Sequence, residues 1–414
     1  MNRSETNHTL VRTAWLVVAL LWPVALLNYL DRQMLAAMKF SVMSDIHDIS
    51  SEANWGRMLG QFKWVYAFLS PVGGYIADRF GRRFTICGSL FVWSAVTWAT
   101  GHVHSYDSLL LTRSLMGISE AFYMPAALAL IADYHTAHTR SRAVGLHQMA
   151  IYIGVIVGGL SGYVADAPSL GWRFTFDACG LVGIVYAIPL ALLLRDAPKS
   201  DVSIAASKNS VFQSARELLA NGSFILLVLY FTLPALAGWV VRDWMPAILK
   251  QQFNIAQGLA GFAATTSWQA AAIVGAIAGG WLADCWMRRN IRGRIYVSAI
   301  GMSFIVPAIF GVGNAGTLIV AVLFLALFGL GWGFFDGNNM PILSQIVRPE
   351  LRATGYGIMN LVSISCGGFA DWGFGSMRDA KVPLNVIFGA FAGTAIISVV
   401  LVLLICPKPE VKNK

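Results

Sequence analysis

Apolar runs of about twenty residues, separated by short polar breaks, repeat along nearly the whole chain. Runs near 14–36, 58–78, 84–104, 107–134, 142–165 and 173–194 are followed by runs near 223–249, 259–284, 295–313, 316–346, 353–377 and 383–406. Each is long enough to cross a bilayer, which takes roughly 20 residues. In hydrocarbon the backbone must be satisfied within the segment, so the pattern predicts helices. The expected fold is an all-α membrane protein with twelve transmembrane helices. They form two six-helix bundles, 1–195 and 223–414, joined by a polar cytoplasmic linker at 196–222. That linker is too short for a core of its own.

Composition narrows the class. The chain is 57% hydrophobic and 12% charged, about half the charge of a soluble protein. Its net charge of +9 is a topology signal. Most Lys and Arg, including Arg140, Arg142, Arg195, Arg288, Arg289, Arg348 and the Lys408–Lys414 tail, fall in loops on the side of both termini. The positive-inside rule places that side in the cytoplasm and leaves no role for nucleic acid; a bacterial inner membrane is the expected location. The first apolar run is too long for a signal peptide and ends in Asp31-Arg32, which makes it the first span. Five scattered Cys without CxxC spacing predict neither a disulfide framework nor a metal site. No nucleophile elbow, zinc motif or phosphate loop is present, so an enzyme is not expected, nor any cofactor beyond a proton as coupling ion. A monomer is expected.

The chain repeats itself. Gly74-Tyr-Ile-Ala-Asp78-Arg79-Phe-Gly81-Arg82-Arg83 is echoed by Gly280-Trp-Leu-Ala-Asp284-Cys-Trp-Met-Arg288-Arg289. Gly117-Ile-Ser-Glu120-Ala-Phe-Tyr-Met-Pro125 is echoed by Gly333-Phe-Phe-Asp336-Gly-Asn-Asn-Met-Pro341, and Arg142-Ala-Val-Gly145 by Arg352-Ala-Thr-Gly355. Three matches in one order point to two parallel, pseudo-symmetric halves, as in many secondary transporters.

The Gly74–Arg83 run resembles the Gly-x-x-x-Asp-Arg-x-Gly-Arg-Arg signature of the major facilitator superfamily, and the resemblance covers essentially the whole chain. It implies alternating access, with Asp78, Arg79, Arg82, Arg83 and, in the second copy, Asp284 latching the cytoplasmic side. The second copy departs from the signature at Cys285 and Met287. The arginines could instead serve only to enforce topology.

Charges within the spans carry the functional argument, since a charge at mid-bilayer costs roughly 2.5–3.5 kcal/mol or more. Asp31 and Arg32 lie in span one, and Arg113 and Glu120 sit two turns apart on span four. A buried carboxylate is caught between burial, which disfavours its charge, and a neighbouring arginine, which favours it. Arginine offers a permanently charged two-point fork for a carboxylate. Together these predict proton-coupled symport of an organic anion. The plain alternative is a structural ion-pair network.

Asn28-Tyr29-Leu-Asp31-Arg32 and Arg113-x3-Gly117-x2-Glu120 further resemble the anion:cation symporter group of sugar-acid, hexuronate and sialin-like carriers. That resemblance implies Asp31 and Glu120 for proton coupling, Arg32 for the substrate, Arg113 as charge partner, and Tyr29 and Tyr66 as cavity contacts. Gln148, Trp268 and Asn339 are further substrate-binding candidates, suited to a hydroxylated sugar acid or acidic saccharide; the bland reading is interhelical hydrogen bonding. His147 could face the cavity, and Lys63 could contact an anion or snorkel outward. Arg242 and Asp243 of span seven form either an external gate or an interfacial pair. A similar span-one and span-four pattern resembles the spinster-like lipid transporters, which makes a lysolipid the alternative substrate. A non-transporting receptor or enzyme is the remote alternative.

Overall fold

A computed structural model describes residues 3–135, 137–197, 211–348 and 351–407, and all regular structure among them is helical. The helices are α1 (Arg3–Ala37), α2 (Lys39–Asp45), α3 (Glu52–Phe80), α4 (Arg82–Thr100), α5 (Tyr106–Glu120), α6 (Tyr123–Tyr134), α7 (Ala137–Gly159) and α8 (Ser161–Asp166). They continue as α9 (Gly171–Leu193), α10 (Val211–Leu219), α11 (Gly222–Phe253), α12 (Gln257–Met287), α13 (Gly293–Gly313), α14 (Leu318–Ile346), α15 (Arg352–Asp379) and α16 (Leu384–Leu404). Among the described residues nine segments are long and apolar enough to cross a membrane. The long helices α3, α4 and α15 fall short of the same apolarity because they carry more charged and hydroxylated residues.

Local chemistry sets several boundaries. Ser51 caps α3 by accepting from the Asn54 amide at 3.1 Å, and Ser105 forms a capping box with Ser108 at the start of α5. Such caps satisfy amides that have no partner within the helix. Span four is not continuous: α5 ends at Glu120 and α6 begins at Tyr123. Pro125 explains the break, because it has no N–H to offer the Ala121 carbonyl four residues earlier. Span five also divides, between α7 and α8. The first motif copy also differs from a simple loop reading, since α3 runs through Phe80 and the corner itself is Gly81, at φ 96°. That left-handed backbone favours glycine.

The chain divides into two compact units. One takes the described residues of Met1–Lys199 together with Asp243–Phe262; the other takes those of Ser200–Arg242 and Ala263–Lys414. In the first unit α1 packs along α7, α4 along α9, and α3 against α5. Its core gathers Val17, Leu21, Trp93, Tyr123, Ala126 and Leu130. In the second unit α13 packs against α14 and α16. The α1–α7 seam is a backbone-to-backbone contact, because a Cβ at Gly154 would lie 2.4 Å from the Leu26 carbonyl oxygen. Gly154→Val is therefore expected to pry α1 from α7 and cost about 1–3 kcal/mol. Thermal melting in detergent checks this, and a melting temperature equal to wild type would contradict it.

Candidate functional site

Four charged side chains of the first unit, Asp31, Arg32, Arg113 and Glu120, gather where α1 meets α4 and α5. Arg32 Nε donates to Glu120 Oε2 at 2.6 Å, and this joins α1 to the last residue of α5. Glu120 is fully buried, while Asp31 and Arg113 keep only 2% and 3% of their surface exposed. Asp31 Oδ2 accepts a hydrogen bond from Thr97 Oγ1 at 3.0 Å, and Arg113 Nη2 donates to Thr100 Oγ1 at 3.5 Å. One turn of α4 thus serves both groups.

The guanidinium of Arg32 is caged by aromatic faces. Its Cζ lies 4.8 Å from the Tyr29 ring centre, 4.8 Å from Phe62 and 4.7 Å from Tyr66. Phe62 and Tyr66 themselves stack one turn apart on α3, at 5.8 Å. Cation–π contacts act on the planar faces of the ion, which leaves the N–H edges for acceptors. Hydrogen-bonding capacity remains: among the described residues Arg32 Nη2, Asp31 Oδ1 and Arg113 Nε are buried without a hydrogen-bond partner. Each such group costs about 1–3 kcal/mol.

The structure brings Tyr29, Asp31, Arg32, Tyr66, Arg113 and Glu120 into this one region. The cation joined directly to Glu120 is Arg32, while Arg113 donates to Thr100 and lies within electrostatic reach of both Glu120 and Asp31. Helical spacing alone could place Arg113 and Glu120 on one face, but it could not decide which cation of α1 or α5 reaches the acid.

A second buried ion pair lies in the same unit, where Lys63 of α3 donates to Asp243 of α11. Their side chains retain 4% and 9% exposure. Lys39 pairs with Glu52 and lies 4.6 Å from the ring of Trp244. Asp166 of α8 accepts from the Gln257 and Gly258 amides at 3.0 and 3.4 Å, which caps α12. The Gln257 side chain accepts from the Phe40 amide at 3.1 Å and donates to Ser41 Oγ at 2.8 Å. Removing one partner of a buried pair strands the other charge, at about 3–5 kcal/mol. Lys63→Met is expected to lower the melting temperature accordingly, and Lys63→Met with Asp243→Asn to recover most of the loss. A single variant as stable as wild type would deny the pair any structural weight. The sequence signal for this partnership was a lone Lys63 in one apolar span and the Arg242-Asp243 pair in another, with nothing to join them.

The remaining candidates are dispersed. Arg82 pairs with Asp133 of α6. The Arg83 amide donates to Asp196 Oδ1 at 2.8 Å, and its guanidinium donates to the Ala191 carbonyl. Arg79 Nη1 donates to Tyr75 hydroxyl at 3.3 Å, on the surface. The Asp78 side chain lies outside the described residues. In the second unit Arg294 Nη2 donates to Asp284 Oδ1 at 2.7 Å, Arg242 lies over the Trp239 ring at 5.6 Å, and Trp268 stacks edgewise on Phe328 and Trp332. Asn339 is buried with neither amide atom hydrogen-bonded among the described residues. Gln148 is half-buried on α7.

The profile of the Major Facilitator Superfamily matches residues 21–370. The chain is 27% identical over 375 residues to protein spinster homolog 1 of Xenopus tropicalis, a match covering 84% of this chain and 69% of that one. It is 28% identical over 371 residues to an MFS-type efflux pump of Mycolicibacterium smegmatis, across 89% of this chain and 85% of the pump. A solved bacterial homologue of the human lysosomal transporter spinster, inward-facing and unoccupied, aligns with a TM-score of 0.76 at 21% identity over 95% of each chain.

Proposed function

We propose that this chain, which belongs to the major facilitator superfamily and is an integral membrane transporter rather than an enzyme, is a proton-coupled carrier of an organic anion. The observation that carries the reading is the Arg32–Glu120 pair inside its aromatic cage. While Glu120 is ionised it occupies an edge of the guanidinium. When Glu120 takes a proton its charge is lost, and Arg32 is left with an unmatched cation. The three rings hold Arg32 in place, so the freed N–H edge is ready for a carboxylate or phosphate of the solute. One proton and one anion then load together, and neither charge crosses the hydrocarbon uncompensated. Asp31, tied to Thr97, is the second carboxylate available to the same cycle.

A sugar acid or acidic saccharide suits the unsatisfied hydrogen-bonding groups around the site. A lysolipid is the second reading, supported by the similarity to a spinster homologue; its phosphate would use the same arginine. The similarity to a mycobacterial pump supports placement in a bacterial inner membrane, with both termini cytoplasmic as the loop charges suggest. The Lys63–Asp243 pair and the capped start of α12 belong, in this reading, to an external gate. Purified protein in proteoliposomes under an imposed proton gradient tests the proposal. Accumulation of radiolabelled glucuronate supports the first reading, and movement of a labelled lysophospholipid the second. No gradient-dependent flux of either would overturn both.

A further inference from the structure

The charge cluster does not account for a further buried titratable group in the first unit. His147 of α7 is 1% exposed, and its Nε2 lies 2.9 Å from the hydroxyl of Tyr123, which is fully buried. The same hydroxyl reaches the Leu21 carbonyl of α1 at 3.3 Å. Tyr123 is the first residue of α6, just past the break that follows Glu120, and its ring meets Trp93 edge-on at 5.4 Å. Three helices thus converge on one oxygen.

We propose that His147 and Tyr123 form a second proton site of this carrier, in which loading the imidazole turns the Tyr123 hydroxyl from His147 to Leu21. This rests on the proton-coupled reading above and adds a residue to it. A phenol has a single hydrogen to donate and can also accept. When Nε2 carries no hydrogen, Tyr123 donates to it. A protonated imidazole is a donor at both nitrogens, so the contact survives only if Tyr123 accepts and sends its own hydrogen to the Leu21 oxygen. Both arrangements are available at the observed distances without moving a heavy atom.

The surroundings give this switch a consequence. Tyr123 is the titratable side chain touching His147; Tyr29 of α1 and Tyr186 of α9 flank Tyr123. Among the described residues no carboxylate pairs with His147. A bare cation buried without a counter-charge is costly, so the loaded imidazole favours a conformation that lets water reach the α6–α7 seam. Protonation at this point therefore bears on α1, which presents Arg32, and on α6, which follows Glu120 across the break in span four.

The test uses the full chain in lipid nanodiscs with 15N-labelled histidine. The His147 signals are assigned by their loss in His147→Gln, and imidazole shifts are followed from pH 4 to 9. The expected result is a titrating His147 whose midpoint moves in Tyr123→Phe by about one pH unit, the equivalent of one ordinary hydrogen bond. An imidazole that keeps one state throughout, or whose midpoint ignores the tyrosine hydroxyl, overturns the proposal. A second readout is glucuronate-driven proton entry in proteoliposomes, where His147→Gln should displace the pH profile; an unchanged profile also overturns it. If the unmodified protein moves no protons with glucuronate, the coupling reading falls while the titration still decides the fate of the His147 site.

Discussion

Arg32→Ala is expected to abolish anion flux and to destabilise the folded protein together. Glu120 would keep a fully buried carboxylate with its ion-pair partner removed, a loss of about 3–5 kcal/mol for a broken buried pair. Flux would vanish for a separate reason, since among the described residues Arg32 is the cation seated in the Tyr29–Phe62–Tyr66 cage. The two effects separate in the double variant Arg32→Ala with Glu120→Gln. Removing both charges should restore most of the melting temperature and none of the transport. Arg32→Lys should also fail in transport, because an ammonium lacks the flat faces and the forked edge that let one group stack and pair at once. Uptake by the double variant at the wild-type rate would remove Arg32 from the substrate site.

Glu120→Gln separates binding from driving force. The amide cannot be ionised, so Arg32 is permanently released from its internal competitor, as it is when Glu120 is protonated. Exchange of labelled for unlabelled anion across the membrane should persist, and accumulation against a gradient should be lost. The magnitude follows from coupling: one proton moved down a one-unit pH difference supports about tenfold accumulation, and the variant should level off at equal concentrations inside and out. Gradient-driven accumulation that survives the substitution would assign proton coupling to another group, with Asp31 next in line.

The helices were legible because their signal is physical and local. Runs of apolar residues with short breaks leave the backbone few alternatives in hydrocarbon, and the polar residues before α3 and α5 mark starts as well as caps. The duplicated Gly-Asp-Arg corners located the turns, although α3 runs further into the first than the motif suggests. Interruptions were harder to read. Pro125 breaks span four beside Glu120, whereas the matching Pro341 lies inside the unbroken α14, so the same residue in the same motif gave different outcomes. The membership of the charge cluster was also legible, since Asp31, Arg32, Arg113 and Glu120 are conspicuous in apolar segments. Their partnerships were not. Which arginine meets Glu120, and that Lys63 finds Asp243 along a chain separation of 180 residues, depend on how helices lie against one another. Pairing of that kind leaves no local pattern.

The turn between α11 and α12 carries a further implication for how this chain can vary. Short loops ordinarily absorb insertions with little harm. Here the turn passes through Asn254 at φ 48° and delivers Gln257 at once to Asp166, Phe40 and Ser41. One added residue would rotate α12 by about 100° and take Gln257 away from all three. The carboxylate that ends α8 also begins α12, so the lengths of two segments far apart in sequence are fixed by a single side chain. Natural variants of this carrier should therefore differ in length elsewhere, and a tag or epitope placed in this turn should be poorly tolerated even though it lies between helices.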